Sequence, residues 1–222
     1  MTITAAQVAD WLRENPAFFE QYAEQLADLS IPHPHGGRAI PLSERQIITL
    51  RERVRTLEAK LAELIRFGEE NDAIGDKLHR LVVALLRAAD LDATLHAVHH
   101  HLREDFLVPH VALRLWGVAP GGVRGALAEF AEASAESRLF AGSLTAPCCG
   151  PRAMFDTAGW FGGAGAGLRS YAYVPLRDRD PIGLLVLASE DAQRFYPDMG
   201  TLYLQRLGDV VAAALLRALD AG

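Results

Sequence analysis

Lysine is almost missing from this chain: Lys60 and Lys77 are the only two, and arginine supplies the rest of its 22 basic residues. Against 28 acidic residues these leave a formal net charge of −6. Phosphate neutralisation needs clustered cations, so the balance excludes general nucleic-acid binding. Cysteine is equally scarce, with only the neighbours Cys148 and Cys149. Adjacent thiols rarely bridge, and two cannot build a disulfide framework, which fits a reducing compartment. No apolar run approaches the ~18 to 20 residues that cross a bilayer. The longest, "VVAAALLRAL" from Val210 to Leu219, is interrupted by Arg217. The opening "MTITAAQVADWLREN" shows no basic stretch followed by an apolar one, so neither a secretory signal nor membrane attachment is expected, and the expected location is cytoplasmic. No HExxH, CxxC, Ser/His/Asp order or paired-carboxylate motif is present, and enzymatic activity is not expected.

What remains is a hydrophobic and helical text. Half of the 222 residues are hydrophobic, enough for one packed domain with an appendage or for two small ones. Val8, Trp11 and Leu12 share one helical face. Asn15-Pro16 then opens a second helix carrying Phe18, Phe19, Tyr22 and Leu26, packing residues by their spacing. "SIPHPHGGRAIPL" (Ser30 to Leu42) breaks the pattern with its prolines and glycines and reads as a loop, and His33 and His35 within it fall short of a metal site.

"SERQ" (Ser43 to Gln46) is a capping box at the start of a long helix. Ile47, Leu50, Val54, Leu57, Leu61 and Leu64 follow in alternating steps of three and four, flanked by Arg and Glu. This heptad seam needs a partner surface, and a parallel homodimer is the expected one. Extending the repeat puts Gly68, Asn71 and Gly75 on the seam, after which Ile74, Leu78, Leu81 and Leu85 resume in a shifted phase. We expect a helix break or kink there at a domain boundary; the sharper alternative is a joint transmitting a change of state.

Five of the eight histidines fall in "HAVHHHLREDFLVPH" (His96 to His110). On a helix starting near Asp90 the apolar stripe is Leu91, Leu95, Val98 and Leu102, which leaves His96 and His100 off its centre and His99 at its edge. An i, i+4 pair can chelate zinc, but a third ligand is not supplied by the pattern, so this reads as a solvated helix face and no metal site is assigned. "HVALRLWG" (His110 to Gly117) alternates like a strand, and "SLTAPCCGPR" marks a strand end. "SYAYVPL" and "PIGLLVLAS" flank the turn Arg177 to Asp180, and "RFYPDMGTLYLQRLGDVVAAALLRAL" closes the chain as an amphipathic helix. Antiparallel strands between helices make an α+β class, with the terminal helices covering one sheet face. The expected organisation is an N-terminal helical segment and loop over 1–42, a long coiled-coil helix over 43–88, and an α+β domain over 89–222.

The run "YVPLRDRDPIGLLVLASEDAQRFYPDMGTLYLQRLGDVVAAAL" resembles the C-terminal half of a GAF domain. Taken with "WLRENPAFF", "IPHPHGGRAIPLSERQIITLRERVRTLE", the Asn71 region and Cys149-Gly150, nearly the whole chain resembles the domain-of-unknown-function family 484. The resemblance implies a GAF-like sheet behind an N-terminal helical segment, and a dimeric sensor or scaffold binding a small molecule or partner in the GAF pocket. The candidate pocket residues are Cys149, Trp160, Phe161, Tyr171 and Tyr173, with "GWFGGAGAG" (Gly159 to Gly167) as a flexible loop above them. The spaced Asn-Lys-Phe-Asp-Glu signature of cyclic-nucleotide sites and the Asp-Ile-Pro segment of bilin sites are not found, so no cofactor is named. A ligand-free scaffold is the main alternative. A thiol chemistry at Cys148 and Cys149, activated by Arg152, is the third reading.

Overall fold

The computed structural model of the protein describes residues 3–27, 30–31, 40–116 and 127–220. His33, His35 and the Ser43 side chain lie outside what is described. The chain divides into two compact units, residues 1–69 and 70–222.

In the first unit, α1 (Ala5–Glu14) begins at a true capping box. The Thr4 hydroxyl accepts from the Gln7 amide while the Gln7 side chain accepts from the Thr4 amide. The second helix expected from sequence is split at Tyr22 into α2 (Ala17–Gln21) and α3 (Ala23–Ala27). Trp11, Phe18 and Tyr22 hold this region by ring contacts of 5.6 and 4.8 Å between centroids. No side chain of α1 or α2 is buried. Two-residue strands β1 (Ser30–Ile31) and β2 (Ile40–Pro41) pair antiparallel at the ends of the Pro/Gly segment that was expected to be all loop.

The long helix α4 spans Leu42–Arg87. The break expected at Gly68 to Gly75 does not occur. Two glycines cost about 1 kcal/mol each against alanine, and the surrounding Leu, Glu, Arg and Ala residues, with Leu81 and Leu85 anchored in the second unit's core, offset that.

The second unit takes in the end of α4, then α5 (Leu91–Glu104), β3 (His110–Leu115), a 3₁₀ turn at Ala128–Phe130 and α6 (Ala135–Ser143). After β4 (Cys148–Gly150) comes a 3₁₀ segment over Phe155–Gly167, then β5 (Ser170–Arg177), β6 (Pro181–Ser189) and α7 (Leu202–Asp220). The last helix starts later than the pattern suggested, because Pro197 and Gly200 keep the preceding residues in turns.

The four strands of the second unit form one antiparallel sheet in the order β3-β6-β5-β4. Alternation sorts each strand between two cores. Leu113, Val174, Leu185 and Leu187 face α5, α7 and the end of α4, while Tyr171, Tyr173, Leu184 and Val186 face α6 and the 3₁₀ segment. The approach of α7 to β5 is close: a Cβ on Gly208 would stand 2.7 Å from the Val174 side chain.

The abundance of arginine acquires a reason here. Helix ends leave carbonyls without partners, and the planar guanidinium can serve several at once. Arg217 donates to the carbonyls of Leu85 (2.7 Å) and Ala88 (3.1 Å) at the end of α4. Arg177 does the same for Ala141 (2.7 Å) and Leu144 (2.5 Å) at the end of α6, and Arg194 for Phe106 (2.8 Å) after α5.

Candidate functional site

Four of the five candidate pocket residues come together on one sheet face. Tyr171 and Tyr173, two residues apart on β5, stack at 6.2 Å with 16° between their planes, and Phe161 lies 6.3 Å from Tyr171. Trp160 packs against the same core and carries the Arg114 guanidinium 5.0 Å over its ring. Cys149 does not join them: it packs on the opposite, helix-covered face, and its neighbour Cys148 takes the place beside the aromatics.

This face is packed shut at its centre. Tyr173 has no exposed surface, and its hydroxyl accepts from the Met154 amide at 2.8 Å and meets the Thr157 hydroxyl at 3.2 Å. The loop expected to be flexible is instead two 3₁₀ stretches joined at Gly162, whose φ of 57° suits glycine. Asp156 ties it down by accepting from the Ser134 and Ser137 hydroxyls and, at 3.2 Å, from the Trp160 indole. Burial pushes the Asp156 carboxyl upward, but these donors outweigh it and hold it at about 2.

Both thiols are free and half-buried. Burial, with a smaller contribution from Cys148, pushes the Cys149 thiol up to about 11, and burial raises Cys148 as well. Arg152, the activating cation of the third reading, is not among the groups that shift either thiol; burial leads for both.

The histidine cluster separates into two kinds. His96 and His100 are exposed on α5 with their rings parallel 6.0 Å apart, as a solvated face would have them. His99 and His101 are half-buried, and each donates to a carboxylate: Glu129 at 3.0 Å and Asp105 at 2.5 Å. His110 likewise meets Glu190 at 2.6 Å. The hydrogen bond from His99 lowers the Glu129 pKa against the opposing effect of burial. Among the described residues, no three His, Cys, Asp or Glu side chains gather as metal ligands. The His101–Asp105 pair was readable as i, i+4 neighbours, whereas Glu129, thirty residues from His99, had no local signal.

Along α4 every seam residue is open. Ile47, Leu50, Val54, Leu57, Leu61 and Leu64 are 48% to 65% exposed, and Ile65 and Phe67 widen the apolar surface at its lower end. A second open feature carries no signal in the sequence: an apolar groove of about 280 Å³ on the α5- and α7-covered side of the sheet, bordered by Lys77, Arg194 and Tyr203.

No described helix is long and apolar enough to cross a membrane. No curated protein matches the chain. A family model covers residues 1–219, and the chain belongs to that family, described as protein of unknown function, DUF484.

Proposed function

We propose that the protein is a non-enzymatic regulatory protein that works as a parallel homodimer, joined along α4 and displaying two α+β units for recognition. The exposed seam carries this reading, because six large aliphatic side chains in heptad register, each about half exposed or more, are costly to leave in water. The order of residue types favours two parallel strands. With Ile47 at position a, the a positions hold Ile47, Val54 and Leu61, and the d positions hold Leu50, Leu57 and Leu64. β-branched residues at a with leucine at d select parallel dimers. In that register Arg53 at g meets Glu58 at e of a second copy, an attractive pair. Non-enzymatic character is supported by the burial that raises both thiols.

A ligand-free scaffold is favoured by one observation, the filled aromatic face around Tyr173. It leaves the dimer intact and removes only the GAF-type pocket as the recognition site.

Sedimentation equilibrium of the wild type and of Leu57→Glu tests dimerisation. Leucine burial is worth about 1.5–3 kcal/mol per copy, so losing it twice weakens association by roughly a hundredfold to ten-thousandfold. A wild type that stays monomeric at tens of micromolar removes the proposal.

A further inference from the structure

The aromatic face is closed, but the opposite face of the same sheet is not. There residues of α4, α5, β6 and the start of α7 border a groove of about 280 Å³. Leu78 of α4, Leu102 of α5, Leu187 of β6 and Leu207 of α7 line it, with Phe195 and Met199 on the connecting segment. Every lining residue belongs to the unit 70–222, so the groove is a property of that fold and does not rest on dimerisation.

Its charges are of one sign. Lys77 and Arg194 both line it, and no Asp or Glu does. Arg194 is fixed in place, donating to the Phe106 carbonyl at 2.8 Å with its guanidinium 5.6 Å over the Phe195 ring. Lys77 is half-buried and makes no ion pair among the described residues. It is one of two lysines in a chain that otherwise uses arginine, and arginine is the residue this fold uses to serve carbonyls. Tyr203, also on the border, already donates to the Asn71 carbonyl at 3.2 Å. An apolar floor with a cationic edge is complementary to a small amphiphilic anion.

Size narrows the class. At ~30 Å³ per water-sized group, the groove holds on the order of nine or ten non-hydrogen atoms, below a typical drug-sized site of ~300–1,000 Å³. A phosphorylated nucleoside is too large and too polar for it. We infer that this groove binds a medium-chain monocarboxylate, with the chain over Leu78, Leu102 and Leu187 and the carboxylate paired with Lys77. The bound molecule touches α4 at Ile74, Lys77 and Leu78, around the second of its two glycines, Gly75.

Isothermal titration of this 222-residue chain with octanoate and with octanol tests this. The expected result is saturable binding of one octanoate per chain, weakened about tenfold or more in Lys77→Met, with octanol bound equally by both proteins. Lys77→Met keeps the aliphatic stem at a half-buried position, so folding is preserved, and circular dichroism checks it. Equal octanoate affinity in the variant overturns the assignment of Lys77 and of the anion. Octanol bound as tightly as octanoate by the wild type points to an apolar side chain of a protein partner and overturns the carboxylate class. Absence of saturable octanoate binding below millimolar concentration overturns the site. None of these outcomes bears on the dimer, which sedimentation tests separately.

Discussion

Removing one oxygen, in Tyr173→Phe, asks whether the aromatic face is a packed core or an open pocket. The Tyr173 hydroxyl is the partner of the Met154 amide at 2.8 Å and lies 3.2 Å from the Thr157 hydroxyl. Thr157 keeps its other bond, to the Met154 carbonyl, and the carbonyl of exposed Arg152, which accepts from the same hydroxyl at 3.4 Å, can turn to water, so the Met154 amide is the group left without a partner. Stranding a buried donor costs about 1–3 kcal/mol, against the ~1 kcal/mol net worth of an ordinary hydrogen bond. We expect the urea midpoint of the second unit to fall by the equivalent of about 2 kcal/mol with an unchanged slope. The fluorescence of Trp116 and Trp160, both in that unit, is the signal. Tyr171→Phe is the control, because the Tyr171 hydroxyl has no hydrogen-bond partner among the described residues, and a change within ~0.5 kcal/mol is expected there. If Tyr173→Phe cost as little as the control, water would be reaching the Met154 amide, and the reading of this face as closed would be wrong.

Three further outcomes follow from the same geometry. Gly183→Ala places a Cβ 2.5 Å from the Arg114 carbonyl and 2.8 Å from a Leu115 methyl; the methyl can rotate but the β3 backbone cannot, so a loss of about 1–3 kcal/mol is expected in the same urea titration. Asp156→Asn should destabilise at neutral pH by about 1 kcal/mol, since the shift from 3.8 to about 2 sets an upper bound near ~2.4 kcal/mol and the carboxylate's exposure reduces it. Because the folded pKa is depressed, that stabilisation is complete above the unfolded carboxyl's ~3.9 and is lost as pH falls through about 2; a difference between wild type and variant that persisted at pH 2 would contradict the charge argument. Cys149 should be alkylated by iodoacetamide at pH 8 roughly a hundredfold more slowly than free cysteine, given a thiol at about 11, and a rate near that of the free amino acid would revive the redox reading.

Most of the architecture could be read from local pattern. The strands at His110, Ser170 and Pro181 alternate or run apolar between turn residues, and β3, β5 and β6 begin at those residues. The α5 stripe of Leu91, Leu95, Val98 and Leu102 is buried as its spacing required. Readings failed where the outcome depended on distant partners. Gly68 and Gly75 looked like helix breakers because propensity is local, whereas the continuity of α4 is sustained by packing of Leu81 and Leu85 far along the helix. Parity decided the cysteines: pairing Cys149 with Ala172, and Cys148 with Tyr173, assigns the two thiols to opposite faces, a register that the letters alone do not fix. The groove was invisible for the same reason, since Lys77, Leu102, Leu187 and Arg194 come from four parts of the chain with no shared motif.

The parallel pairing of α4 is open to a single decisive measurement. In a background with Cys148 and Cys149 replaced by serine, Leu50→Cys and Leu64→Cys place one thiol near either end of the seam, in separate variants. A parallel, in-register dimer brings like residues at d together, so both variants should form disulfide-linked dimers on mild oxidation. Cross-linking at neither end, or in a Leu57→Cys variant alone as an antiparallel pair centred there would give, would contradict the proposed dimer.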